Sequence, residues 1–161
     1  MKMSLRKARM DDAQDIQGMV NDQAGQGTML ALSLSEIFER LRAYYVFDAG
    51  GRVVGVCALH IIWDDLAEIR SLVVREENAG KGIGRRLVEA CLDEAVQLGI
   101  GQVFALTYQG EFFRKLGFKP VEKAALPQKV WKDCLNCIKF PDCDEEAFII
   151  NLKGPSIGEG G

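Results

Sequence analysis

Three features of this 161-residue chain could do chemistry. The first is Gly80-Lys81-Gly82-Ile83-Gly84, a glycine loop that follows the apolar run Leu72-Val73-Val74 and leads into a long amphipathic segment. Glycines let the backbone approach a ligand closely and point several N–H groups the same way. At the positive end of a helix dipole, such a loop suits an anion, a pyrophosphate best of all. The second is Cys134-x2-Cys137-x5-Cys143, which resembles part of a zinc site. A closed structural site wants four ligands. Asp142, Asp144 or a partner chain could supply the fourth, but three free thiols are the preferred reading and no metal is assigned. The third is His60, the only histidine. It shares its alternation with Val54, Val56 and Ala58, so it reads as a structural histidine near the site, with at most a secondary substrate contact.

The loop needs a strand before it and a helix after it, and the pattern supplies both. Ile83, Leu87, Val88, Cys91, Leu92 and Ala95 recur at three- and four-residue spacing, the buried stripe of a helix ending near Leu98-Gly99. Upstream, Leu5 to Ala8 reads as a first strand. Asp11 or Asp12 reads as the N-cap of a helix, with Gln14 completing a capping box. Ile16, Met19 and Val20 form that helix's buried face, and the loop Gln23 to Thr28 breaks it. Leu34, Ile37, Phe38 and Leu41 mark a second short helix entered at Ser33 or Ser35. Tyr44 to Ala49 and Arg52 to Ile62 read as an antiparallel pair around Gly50-Gly51. A turn at Trp63-Asp64-Asp65 leads to a strand from Ala67 to Val74.

Beyond the long helix, Gln102 to Thr107 reads as a strand parallel to the one before the loop, joined to it by a right-handed crossover. Glu111 to Leu116 reads as a short helix stopped by Gly117, with Phe118 packing back into the core. Leu126-Pro127 starts a brief helical turn, and Ala147 to Ile150 forms the last strand. The expected organisation is one domain over residues 1–153 with a flexible tail over 154–161.

Composition narrows the function. A net charge of −3 without a Lys/Arg-rich run argues against general nucleic-acid binding, which rests on phosphate neutralisation. No stretch approaches the length of a membrane span, and the N-terminal charges have no apolar run behind them, so a cytoplasmic protein is expected. Five cysteines without a secretion signal read as reduced thiols, Cys57 and Cys91 at core positions. The loop itself excludes two nucleotide motifs. A P-loop needs Lys-Ser or Lys-Thr after its last glycine, where Arg85-Arg86 stands here, and the dinucleotide motif belongs to a repeated strand-helix-strand unit that this chain lacks.

The element order, together with Leu72-Val73-Val74, Gly80 to Leu87 and Phe112-Phe113-Arg114-Lys115-Leu116-Gly117-Phe118, resembles the GNAT acyltransferase superfamily. The family usually carries Gln or Arg three residues before the loop's second glycine, where this chain has Ala79. The anion is held mainly by backbone N–H groups, so the departure costs the match little. Ala58-Leu59-His60, the run Trp63 to Leu72, Leu106-Thr107-Tyr108 and Leu126-Pro127 are similar to the short-form N-acetylglutamate synthases, which lack an amino-acid-kinase domain.

The resemblance implies an α/β (α+β) GNAT fold, with a mixed sheet of about six to seven strands flanked by about four helices and splayed at the acyl-CoA site. It implies acetyl-CoA as co-substrate, held by Leu72, Val73, Val74, Ala79, Gly80, Lys81, Gly82, Ile83, Gly84, Arg85 and Phe113. Direct transfer to the α-amine of glutamate in a ternary complex is the implied reaction. An amine must lose its proton before it can attack, and the resemblance gives that task to Glu68. Many GNAT enzymes place a tyrosine acid where Phe113 stands, so Tyr108 is the substitute acid, unless the CoA thiol leaves unaided as thiolate. By resemblance Ser71 stands at a substrate-contacting position, and Arg70 and Lys129, as cations, are candidates for the acceptor's carboxylates. Rival expectations are another small amine or a protein N-terminus as acceptor, or a non-catalytic acyl-CoA-binding module. A homodimer stays open.

Overall fold

The computed structural model describes residues 3–25, 32–126 and 145–152. Seven strands form one mixed sheet in the order β1-β2-β3-β4-β5-β7-β6, where β1 is Met3–Lys7, β2 Tyr44–Ala49, β3 Arg52–Trp63, β4 Leu66–Val74, β5 Gln102–Thr107, β6 Lys119–Val121 and β7 Glu146–Asn151. Four helices accompany it: α1 Ala13–Gly25, α2 Leu34–Glu39, α3 Ile83–Leu98 and α4 Gly110–Lys115. The described residues fall into two compact units, one within Met1–His60 and Ile69–Asp93, the other within Ile61–Glu68 and Glu94–Gly161. Strands β3 and β4 and helix α3 run through both.

In the first unit, β1, β2 and β3 are antiparallel neighbours. The β2–β3 hairpin turns at Gly50 (φ 63°) and Gly51 (φ 96°), and two positive φ values are what a primed turn between right-twisting strands requires. Asp48 Oδ1 accepts the Gly51 N–H at 2.7 Å, tying that turn down. Ile16, Met19 and Val20 of α1 and Ile37 of α2 pack with Tyr44, Val46, Val56, Ala58 and Val73 in one buried cluster. Ser33 caps α2: its Oγ accepts the Glu36 N–H at 3.1 Å while Glu36 returns a carboxylate to the Ser33 N–H at 3.0 Å, a complete capping box.

Several local expectations need correction here. Asp12 does not cap α1. It closes the 3-10 turn Met10–Asp12 that leads into the helix, where its carboxylate accepts the Arg9 N–H at 2.7 Å and the Arg6 guanidinium at 2.7 and 3.1 Å. A buried carboxylate that can satisfy a strand arginine holds more partners than a cap would give it. Helix α1 also runs through Gln23 to Gly25, where a break was expected. Phe38 is exposed rather than on the buried stripe of α2. His60 does not inherit its surroundings from alternation, because Val53 to Leu59 are all buried and both faces of β3 are covered.

Helix α3 follows the expected stripe, with Ile83, Leu87, Val88, Cys91 and Ala95 buried, although Leu92 is only half-buried. It ends at Gly99 (φ 84°). The Ile100 N–H reaches back to the Ala95 carbonyl at 2.9 Å and the Gly99 N–H to Val96 at 3.1 Å, the left-handed glycine stop that satisfies the last carbonyls.

In the second unit, the parallel β4–β5 register covers Leu66↔Gln102, Ala67↔Val103 and Glu68↔Phe104. Asp65 fastens its start, accepting the Gly101 N–H on its side chain at 2.7 Å and the Gln102 N–H on its carbonyl at 3.2 Å. Strand β5 pairs antiparallel with β7, and β7 with β6. The edge strand β6 was not anticipated. Leu66, Phe104, Leu126 and Ala147 form the buried cluster of this unit. A 3-10 turn over Lys123–Ala125 ends at Leu126, and the helical turn expected to start at Leu126-Pro127 lies outside the described residues. No helix among the described residues is long and apolar enough to cross a membrane.

Candidate functional site

In the first unit, the loop that precedes α3 has the backbone the glycines predict. Gly80 (φ 79°) and Gly82 (φ 78°) are left-handed, and a Cβ at either would meet nothing within 4 Å. These glycines therefore serve backbone conformation, not packing, and leave an open approach to the loop. The first helical hydrogen bond runs from the Arg86 N–H to the Gly82 carbonyl at 3.2 Å. The N–H groups of Ile83, Gly84 and Arg85 thus precede the helical ladder, at the positive end of a 16-residue helix, a donor set that fits a pyrophosphate. Ala79 and Lys81 are exposed beside it. Arg85 is shared with Glu89, Nε to Oε2 at 3.1 Å, and the Arg86 guanidinium lies 4.9 Å from the centre of the Phe47 ring. The floor under the helix is close-packed: a Cβ on Gly55 would come within 2.9 Å of Ile83 and 3.0 Å of Leu87.

Strand β4 approaches the loop through Ser71, Leu72, Val73 and Val74. Val73 is buried while Leu72 and Val74 are half-buried. Arg75 pins the exit of the strand, giving its N–H to the Val54 carbonyl and its Nε to the Val53 carbonyl, both at 2.8 Å. Ser71 is the one non-glycine with positive φ among the described residues, at 57°. A side chain there costs about 1–2 kcal/mol unless its surroundings hold it. Tyr44, buried at the start of β2, has Ser71 acting on its hydroxyl. Burial pushes the Tyr44 phenol up, outweighing the Ser71 bond and the cations Arg40 and Arg70, which favour its ionisation. Tyr44 and Arg40 were not foreseen. Nothing local in the sequence marks either, because the contact links a strand start to a position on the next strand but one.

In the second unit, Glu68 is 5% exposed and lies opposite Phe104 at the last pair of the β4–β5 register. Tyr108 follows β5 directly and is 37% exposed. The Thr107 hydroxyl beside it accepts the Gln109 N–H at 2.7 Å. Phe113 is buried, packed edge-on against Phe112 and Phe118 with ring centres 5.1 Å apart in each case. Its side chain therefore belongs to the core around α4.

The expected site residues are thus placed as follows. Arg70, half-buried, and Ser71 stand with Leu72 to Val74 and the glycine loop in the first unit, while Glu68, Tyr108 and Phe113 stand in the second. Glu68 and Ser71 are three residues apart on β4. Lys129 and the cysteines 134, 137 and 143 lie outside the described residues, and no cluster of three or more His, Cys, Asp or Glu that could hold a metal occurs among the described ones. Cys57 and Cys91 are buried as expected, their sulfurs 3.8 Å apart. The Cys57 thiol is pushed up by its bond to Cys91 and by burial.

Comparison with known proteins agrees with this architecture. The chain is 44% identical over 148 residues to an uncharacterised N-acetyltransferase of Chlorobaculum tepidum, covering 92% of this chain and 96% of that protein. It is 35% identical over 132 residues to an amino-acid acetyltransferase of Mycobacterium tuberculosis, covering 80% and 75% respectively. Among solved structures, N-acetylglutamate synthase of Neisseria gonorrhoeae, complexed with coenzyme A and N-acetyl-glutamate, superimposes with a TM-score of 0.84 at 25% identity. That match covers 94% of this chain but 35% of the longer synthase. The Acetyltransferase (GNAT) family model matches residues 11–118. With the seven-stranded mixed sheet and the glycine loop opening α3, this shows that the chain belongs to the GNAT acetyltransferase family.

Proposed function

We propose that the protein transfers the acetyl group of acetyl-CoA directly to the α-amine of glutamate, forming N-acetylglutamate, the first step of arginine biosynthesis, in the cytoplasm. The observation that carries the reading is the likeness to an amino-acid acetyltransferase across 80% of the chain. The Neisseria synthase, with N-acetyl-glutamate in its crystals, supports glutamate as the acceptor. Acetyl-CoA supplies an acetyl group activated as a thioester. The amides of Ile83, Gly84 and Arg85 hold its pyrophosphate with Ala79 to Gly82 lining the approach, and the backbone of Leu72 to Val74 orients the pantetheine arm and the carbonyl. Phe113 packs α4 through Phe112 and Phe118.

Glu68 takes the proton from the acceptor amine, freeing the nitrogen lone pair. Its burial suits this, since a carboxylate kept from bulk water meets the amine without a competing hydration shell. Ser71, Arg70 and Lys129 hold the acceptor by its hydroxyl-compatible and anionic groups. Tyr108 protonates the departing thiolate, or the thiol, with a pKa near that of cysteine, leaves without help. The partner is a small molecule, and neither nucleic acid nor membrane enters the reaction.

A second reading takes another small amine as acceptor, since the 44%-identical Chlorobaculum relative is named as an N-acetyltransferase without a stated acceptor. Thiol release from acetyl-CoA, measured across a panel of amino acids, polyamines and peptides, separates the two. Glutamate should give the highest kcat/KM, and turnover confined to other amines would overturn the glutamate assignment.

A further inference from the structure

We infer that Arg75 is a positioning residue for the coenzyme: by gripping a bulge in β3 it sets where the glycine loop meets the pyrophosphate. The inference rests on the coenzyme seat described above and adds a residue outside the loop. Strand β3 is irregular where the loop is mounted. Phe47 pairs with Gly55, but the next residue, Asp48, pairs with Val53, so Val54 is one residue too many, a bulge. Carbonyls beside such a break need donors that a regular ladder would otherwise supply. Half-buried Arg75 supplies two, its N–H to the Val54 carbonyl at 2.8 Å and its Nε–H to the Val53 carbonyl at 2.8 Å.

Arg75 is coupled to the loop through a short hydrogen-bonded turn. Its carbonyl accepts the Asn78 N–H at 2.8 Å, and the Glu76 carbonyl accepts the Ala79 N–H at 3.1 Å, which makes Glu76–Asn78 a 3-10 turn. The chain from Arg75 to Ala79 therefore moves as one piece, up to Gly80. At the other end of the loop, Ile83 and Leu87 press on Gly55, where an added Cβ would meet them at 2.9 and 3.0 Å. Entrance and exit of the loop thus stand on consecutive residues of β3, Val53 to Gly55. Between them, Gly80 and Gly82 are left-handed and bring freedom that no side chain of their own restrains. Ala79 has only a methyl and offers them no hydrogen bond. The Arg52–Glu77 pair, 3.3 Å apart, is exposed on both sides and adds little. The Arg75 side chain is the tie that fixes the loop's entrance relative to the amides of Ile83 to Arg85, and so the shape of the anion seat.

Arg75→Gln places an amide nitrogen as many bonds from the backbone as the arginine Nε, so it keeps a donor for Val53 and removes the charge. Arg75→Met keeps the stem and removes both. CoA affinity by calorimetry, and kinetics in acetyl-CoA at saturating acceptor and the reverse, are measured on wild type and both variants. R75M should weaken CoA binding and raise the acetyl-CoA KM about fivefold, with kcat and the acceptor KM within about twofold, as loss of one hydrogen bond at the loop predicts. R75Q should stay within about twofold of wild type throughout, because the Val53 bond is kept. Wild-type CoA affinity in R75M would overturn the role of Arg75. So would a fall in kcat with a rise in both KM values, the mark of a general loss of structure. The R75Q result stands whether or not R75M folds: an acetyl-CoA KM raised by about fivefold in R75Q would show that the charge acts and not the Val53 bond. Wild-type protein that binds no CoA would overturn the coenzyme seat and the inference together.

Discussion

Gly55→Ala tests how α3 is seated under its binding loop. Gly55 lies in β3, and an added methyl would stand 2.9 Å from Cγ2 of Ile83 and 3.0 Å from Cδ1 of Leu87. Carbon contacts settle at about 3.5–4.0 Å, so the first two turns of α3 must retreat by about half an ångström or more. Overpacking of this kind costs about 1–3 kcal/mol, partly offset by the about 0.5–1 kcal/mol that alanine gains over glycine in a strand. The net loss is about 1–2 kcal/mol, which for a chain of this length lowers Tm by about 2–8 °C. The retreat moves the amides of Ile83 to Arg85 with the helix. Calorimetry should therefore show the lower Tm, and kinetics should show a severalfold rise in acetyl-CoA KM with the glutamate KM little changed. Ile83→Leu removes the β-branch methyl at nearly constant volume, so the G55A/I83L double variant should recover part of both losses. A G55A protein with wild-type Tm and acetyl-CoA KM would refute the close seating of α3 on β3.

Two further predictions address the base and the charged network of β1. Glu68→Gln keeps the shape and removes the base, so kcat should fall by about 10²–10⁴ with the acetyl-CoA KM held. Wild-type turnover in E68Q would take Glu68 out of the mechanism. Asp12 is pushed up by burial, but hydrogen bonds from Arg6 and the Arg9 N–H outweigh this and lower it below 3.8. A lowered carboxylate contributes stability that is present above about 3.8 and is lost as pH falls through the native value. Asp12→Ala should cost about 2 kcal/mol near neutral pH by stripping charged hydrogen bonds, and the difference from wild type in urea melts should shrink below pH 3.8. A difference that stays constant down to pH 2 would show that the Arg6 contact contributes nothing through charge.

What could be read from the sequence followed the strength of the local pattern. Helix α3 was legible because five of its expected stripe residues are buried and glycines bracket both ends, so periodicity and backbone chemistry agree. Strand β5 was legible for the same reason, as an apolar run between turn residues. Ser33 was one of two entries, with Ser35, that the sequence offered for α2, and its box with Glu36 settles the choice, whereas Asp12 was misread because its partner, Arg6, lies on a different element. Strand β6 has three residues, one of them Pro120, too few to carry an alternation. At the site, the glycine loop could be found from backbone needs alone, and Glu68 and Ser71 only through family resemblance. Tyr44 and the left-handed backbone of Ser71 were invisible, because a hydroxyl on β2 and a kink in β4 become related only when β3 is placed between them. Phe113 shows the opposite case. Its motif was recognised, but its side chain is spent on packing against Phe112 and Phe118.

The central claim is acetyl transfer to the α-amine of glutamate, and the most direct measurement follows the product. Purified protein is incubated with acetyl-CoA and ¹⁵N-labelled glutamate, and the products are resolved by mass spectrometry and nitrogen-edited NMR. The account predicts N-acetylglutamate carrying the label in the amide, formed in step with released CoA and strongly reduced with E68Q. CoA release without labelled amide, or no acetylation of glutamate while another amine is acetylated efficiently, would contradict it.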